Sequence, residues 1–144
     1  MSWIRVYIHM VFATKNRQPF LNTPELRKNV FQHIKNNAAE KDIWLDCVNG
    51  YSDHAHCLIS IGKEQTISKV AQLIKGESSF WINQNKLTKQ KFIWQDDYWA
   101  VGGSERHVEK VRNYIHKQES HHSKKKFKIE IDTFMENYGW SNLK

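Results

Sequence analysis

Apolar, aromatic and β-branched residues dominate from Trp3 to Thr14 without a glycine or proline, and the run stops at the polar turn Lys15-Asn16-Arg17-Gln18-Pro19. It predicts a first strand. Thr23-Pro24-Glu25 then supplies a cap, a first-turn proline and an acidic residue, and Leu26, Val30, Phe31 and Ile34 recur as one apolar stripe. A helix to about Glu40 follows. Two short runs, Ile43 to Asn49 and His54 to Ile61, flank Gly50-Tyr51-Ser52-Asp53 and predict a hairpin of two strands. Thr66 or Ser68 caps the next helix, whose Ile67, Val70, Ala71 and Ile74 keep helical spacing, and Gly76-Glu77-Ser78-Ser79 is a candidate bend before Phe80-Trp81-Ile82. The polar, lysine-rich stretch from Asn83 to Lys91 predicts a loop or a frayed helix end. Phe92-Ile93-Trp94 and Tyr98-Trp99-Ala100-Val101 form a fourth strand, stopped by Gly102-Gly103. Ser104 opens a last helix, about 104–121, with Val108, Val111 and Ile115 toward the core.

The order is β-α-β-β-α-β-α, which predicts an α+β, ferredoxin-like antiparallel sheet with helices on one face and an additional C-terminal helix. A tail of about 122–144 follows, in which Phe127 to Trp140 is a candidate closing strand or helix. At 144 residues and with no internal repeat, the chain is expected to be a single domain, 1–144, able to bury a core without disulfides. Lys and Arg number 22 against 15 Asp and Glu, a net charge of +7 that favours a polyanionic partner without naming it. Cys47 and Cys57 form no CxxC pair, and neither a secretory leader nor a membrane-spanning apolar run is present, so a reduced, cytoplasmic protein is expected.

Two groups of residues carry candidate chemistry. In Asp53-His54-Ala55-His56 the histidines are two apart on a strand, hence on one face, and adjacent imidazoles can share a metal ion. Tyr114 and Gln118 are four apart on a helix and reach out together, offering a nucleophile and a ligand. Each has an ordinary reading as well. A His-x-His pair serves structure in many strands, a tyrosine beside an apolar helical stripe is commonly a core residue, and Gln118 reads alone as a solvated helix residue. A zinc site using His107, His116, His121 or His122 with Cys57 has no standard ligand spacing behind it. His9 reads as a satisfied strand histidine.

Taken in order, His9-Met10-Val11-Phe12-Ala13-Thr14-Lys15-Asn16-Arg17, Asp53-His54-Ala55-His56, Ile74-Lys75-Gly76-Glu77-Ser78-Ser79, Trp94 with Tyr98, and Tyr114-Ile115-His116-Lys117-Gln118 span nearly the whole chain. With these segments the chain resembles the single-tyrosine transposases of the HUH (His-hydrophobe-His) nuclease superfamily, small insertion-sequence enzymes that act on single-stranded DNA. Ala55 is a small choice for the hydrophobe. The resemblance implies that His54, His56 and Gln118 coordinate a divalent ion, Mg²⁺ or Mn²⁺, and that Tyr114 is the catalytic nucleophile, leaving a 5′-phosphotyrosine link and a free 3′ hydroxyl. A covalent link preserves the energy of the broken phosphodiester, so no nucleotide cofactor is expected, in keeping with the lack of a GxxxxGK[ST] loop. The implied partners are single-stranded, hairpin-containing element ends and a second copy of the chain in a homodimer, with no membrane. Single strands are usually gripped by a basic groove with aromatic platforms. Arg5, Lys15, Arg17, Lys75 and the lysines from Lys124 are the groove candidates, with exposed members of Trp81, Trp94, Tyr98 and Trp99 as platforms. Two competing functions use the same residues: a non-catalytic module binding single-stranded nucleic acid on its sheet, and a domesticated, repeat-associated HUH endonuclease.

Overall fold

Strand alternation and helical stripes of the kind just described yield, in a computed structural model that describes residues 4–118, the elements β1 (Val6–Thr14), α1 (Pro24–Glu40), β2 (Trp44–Tyr51), β3 (His54–Ile61), α2 (Ile67–Gln84), β4 (Trp94–Gly103) and α3 (Val108–His116). Short 3-10 turns follow β1 at Lys15–Arg17 and precede α3 at Glu105–His107. The strands make one antiparallel sheet in the order β2-β3-β1-β4, the ferredoxin-like arrangement the element order predicts. The tail and its candidate closing element lie outside the described residues.

The central strands β1 and β3 are covered on both sides, and their side chains divide by parity. Ile8, Met10 and Phe12 from β1 and Ala55, Cys57 and Ile59 from β3 point into the main core, against Val30, Phe31 and Ile34 of α1 and Val70, Ala71, Ile74 and Ile82 of α2. Met10, Phe12 and Ile59 are completely shielded, each contributing about 1.5–3 kcal/mol on burial. The other face carries α3, where Val108 and Ile115 meet Cys47 and Leu58, with Tyr7, Val111 and Tyr114 alongside. A bulge in β2 between Leu45 and Cys47 turns Leu45 to the main core and Cys47 to α3, although the two residues are only two apart.

Local chemistry explains the element ends, including those the sequence misplaces. The Thr23 hydroxyl accepts from the Leu26 amide, and Thr66, rather than Ser68, caps α2 by accepting from Lys69. Helix α2 runs unbroken through Gly76, since one interior glycine costs only about 1 kcal/mol against a stripe continued by Ser78 and Ile82. The β2–β3 turn is tighter than predicted: Gly50 and Tyr51 pair with Ala55 and His54, leaving Ser52-Asp53 as the turn. Gly50 is required for close approach, because a Cβ there would lie 2.1 Å from the His54 carbonyl oxygen. Phe92 and Ile93 precede β4, because the Asn83 side chain both accepts from the Phe92 amide and donates to its carbonyl, taking the groups a ladder would use. Gly102 and Gly103 do not stop β4; they pair with Ile8 and Tyr7. Ser104 does not cap α3 either, its hydroxyl being engaged with His107 Nδ1 at 2.7 Å.

Candidate active site

Antiparallel register puts β3 residues 54, 56 and 58 on the α3 face, so the sheet delivers both histidines of the predicted pair to one side. Their ring centroids are 5.1 Å apart, and both side chains are fully buried. His54 Nδ1 lies 2.8 Å from Asp53 Oδ1, and its Nε2 lies 3.2 Å from Gln118 Oε1. His56 Nδ1 lies 2.9 Å from His9 Nε2. The Nε2 atom of His56 is buried and has no hydrogen-bond partner among the described residues. Tyr114 comes down from α3 onto this group, its ring edge-on to His56 at 5.5 Å and to His9 at 6.1 Å between centroids. The predicted tyrosine, two histidines and glutamine therefore meet inside one chain.

Helix α3 is fastened by groups that the sequence does not single out. Arg112 makes a two-pronged ion pair with Asp46, both contacts 2.8 Å, and also pairs with Glu109. The Arg112 hydrogen bond holds the Asp46 carboxyl below the usual carboxylate range, against an opposing push from burial. Asn49 on β2 donates its amide to the carbonyls of Ile115 and His116 at 3.1 and 3.3 Å. These bonds satisfy the end of the helix and fix the height of Tyr114 above the sheet. The α3 segment Val108–His116 is followed by a turn at Lys117 and helical backbone again at Gln118, the last described residue, whose amide donates to the Tyr114 carbonyl at 3.3 Å. Asp46, the bulge residue that Arg112 grips, carried no signal in the apolar pattern beyond its interruption of β2.

The donor set can be tested against a divalent cation on its own chemistry. Among the described residues no three His, Cys, Asp or Glu side chains are placed to hold a metal ion together, so any such site draws on the Gln118 amide. A carboxylate only accepts, so the Asp53 contact places a hydrogen on His54 Nδ1. The Gln118 amide is turned by its bond to the Tyr114 carbonyl, which aims Oε1 at His54 Nε2. A neutral His54 thus sets one lone pair against another at 3.2 Å, a conflict resolved by a shared proton or a shared cation. The Gln118 amide oxygen suits Mg²⁺ or Mn²⁺ and imidazole nitrogen suits the later transition metals, so the mixed donor set fits a divalent ion, with Mn²⁺ accommodating both kinds of ligand. Cysteine does not take part: Cys57 points to the opposite face, which removes it from any site with the α3 histidines, and burial pushes the Cys47 thiol up to about 12.

Of the basic candidates, Lys15 and Arg17 are exposed on the 3-10 turn, where Asn16 and Arg17 adopt positive φ of 55° and 52°. That turn is stapled beside the histidines, since the Thr14 amide and hydroxyl both donate to the Asp53 carbonyl. Lys75 lies at the same end of the sheet, donating to the carbonyls of Gln95 and Asp96, and burial lowers its pKa, partly offset by Asp96 and Asp97. Arg5 stands before β1, roughly 30 Å of strand from Lys15, and is ion-paired with Glu105 at 2.6 Å. The platform candidates separate too. Trp94 is core, donating to Ser78, and Trp81 stacks flat on His33 at 3.8 Å. Register through Val11 places Trp99 on the histidine face and leaves Tyr98 on the other.

The family model described as "Transposase IS200 like" matches residues 2–118, and the chain belongs to that family. Its fold is similar to that of a protein from Deinococcus radiodurans R1 assigned as a transposase, at 20% identity and a TM-score of 0.65, covering 81% of this chain and 93% of that one. It is also similar to a REP-associated tyrosine transposase solved bound to a REP hairpin, at 13% identity and a TM-score of 0.55, covering 97% of this chain and 73% of that one. No curated protein matches the chain. Among the described residues no helix is long and apolar enough to cross a membrane.

Proposed function

We propose that this transposase cleaves and rejoins single-stranded DNA through Tyr114, acting in the cytoplasm on hairpin-bearing ends. The observation that carries the reading is the Tyr114 ring standing 5.5 Å from the His56 ring within one chain. The Tyr114 oxygen attacks the scissile phosphorus, the bond from phosphorus to the 3′ oxygen breaks, and a 3′ hydroxyl leaves as the 5′-phosphotyrosine forms. Attack by a 3′ hydroxyl on that link reverses the exchange and frees the phenol, so rejoining needs no nucleotide. A phenol with a pKa of about 10 is a weak nucleophile at neutral pH, and the proton must leave as the bond forms. His54, His56 and Gln118 would hold a divalent ion, Mg²⁺ or Mn²⁺, whose chemistry is to polarise a phosphoryl oxygen and stabilise developing charge. Those three donors are neutral, which suits them to receive an anionic phosphate as a further ligand.

Lys15 and Arg17, exposed at the histidine end of the sheet, serve as the backbone-binding residues, with Lys75 supporting the same end and Trp99 as the aromatic surface. The hairpin in the REP-associated relative suggests a hairpin as the structural part of the substrate. Homodimer formation belongs to the same reading and is checked by light scattering, and the nearness of Tyr114 to His56 within one chain supports attack in cis. The deciding experiment incubates the protein and Mg²⁺ or Mn²⁺ with hairpin-bearing single strands taken from the DNA flanking its gene. A phosphotyrosyl adduct is expected, absent with Tyr114→Phe and suppressed by chelation or by His54→Ala. Tight binding with no cleavage of any flanking strand would favour a non-catalytic binding module, and an adduct surviving in Tyr114→Phe would remove Tyr114 from its role.

A further inference from the structure

Both site histidines are held through Nδ1, by two different partners from two different places in the chain. His54 is held by Asp53, its neighbour in the β2–β3 turn, and His56 by His9, which arrives from the middle of β1. The sheet register explains the second contact. Val11 is the direct partner of His56, and His9 is two residues away on the same face, so the two imidazoles are diagonal neighbours. His9 is nearly as buried as the pair it touches, and its ring closes a triangle with His56 and Tyr114.

We propose that His9 and Asp53 are positioning residues that fix the hydrogen of each site imidazole on Nδ1, an inference that rests for its purpose on reading His54 and His56 as metal ligands. A neutral imidazole has one hydrogen, and placing it on Nδ1 leaves the lone pair on Nε2, where a cation is bound. For His54 the assignment follows from the carboxylate, which can only accept. For His56 it requires that His9 accept through Nε2 and keep its own hydrogen on Nδ1. Outer partners of this type orient a ligating imidazole and raise its basicity. His9 adds a restraint that Asp53 cannot: lying 6.1 Å from Tyr114 and 5.2 Å from His56, it couples the orientation of the ligand to the seat of the phenol ring.

Two readouts test this, one needing no metal. Histidine side-chain ¹⁵N spectra of the full chain, recorded above the ordinary imidazole titration range, are expected to show Nδ1–H forms for His54, His56 and His9. His9→Leu should abolish that preference at His56 and leave it at His54, while Asp53→Ala should do the reverse. Mn²⁺ affinity, read from the electron-spin resonance of the free ion, should fall roughly 10- to 100-fold in each of these variants. His9→Gln and Asp53→Asn, which keep an accepting oxygen near the original position, should recover most of it. A merely structural role would move the unfolding midpoint without this pattern of tautomers or the rescue. An Nε2–H form of His56 in the wild-type protein, or undiminished Mn²⁺ binding by a folded His9→Leu, would overturn the proposal. Wild-type protein that bound no Mn²⁺ would overturn the metal reading instead, and the tautomers would still decide the positioning.

Discussion

The two faces of one sheet are built from the same strands and have opposite chemistry. Toward α1 and α2, successive inward positions of β1 and β3 are Ile8, Met10, Phe12 and Ala55, Cys57, Ile59, all apolar and all buried. The alternate positions, toward α3, include His9, His54 and His56, equally buried but polar. Burying such groups costs several kcal/mol unless hydrogen bonds replace water, and here Asp53 supplies one to His54 and His9 one to His56. Stability and chemistry are thus divided by strand parity, so a slip of one residue in register would exchange them. The same division explains why α3 needs Arg112, Asp46 and Asn49: its apolar contacts with the sheet are few, and polar fastenings make up the difference.

Stripping one hydroxyl from the polar face has the largest expected effect. Tyr114→Phe should lower adduct formation by at least about 10⁴-fold, the scale of losing a nucleophile, while the urea midpoint stays close to wild type. A large loss of stability instead would mean that the phenol serves packing. On the apolar face Phe12→Ala should act in the opposite sense, costing about 3–5 kcal/mol in urea unfolding and leaving the chemistry of the folded fraction intact. Cleavage lost from protein shown to be folded would blur the division between faces.

A smaller effect tests the fastening of α3. A carboxyl whose pKa is depressed by folding stabilises the protein above its unfolded pKa of about 3.9, and that contribution disappears as pH falls through the lower folded value. Arg112 depresses Asp46 in this way, so Asp46→Asn should lower the urea midpoint at neutral pH, and its gap from wild type should close in acid. A gap independent of pH would argue that the ion pair is not the fastening. The smallest change concerns the basic turn. Lys15→Ala and Arg17→Ala should each reduce the slope of log affinity against log salt for single-stranded DNA by about 0.7. Arg5→Ala, at the far end of β1 and paired with Glu105, should leave that slope unchanged.

Strand and helix order was legible because alternation and 3.6-residue stripes are local properties, and the caps at Thr23 and Thr66 are local as well. The boundaries that escaped depend on distant partners: Phe92 is taken from its strand by Asn83, and Gly102 and Gly103 are drawn into theirs by Ile8 and Tyr7. His54 and His56 were visible as a pair, since two-residue spacing on a strand places them on one face whatever else the chain does. His9 was not, because its partner stands 47 residues away and only the register of β1 against β3 makes them neighbours. By itself the sequence determined the elements, the histidine pair and the family resemblance, all of which rest on short-range periodicity or ordered motifs. Tertiary structure alone decided that Tyr114 meets His56 within one chain, that Gln118 reaches His54, and that Lys75 joins the end of the sheet where Lys15 and Arg17 stand. Those relations depend on how α3 and the edge strands pack across the sheet, and long-range packing is set by contacts between segments that no local pattern connects.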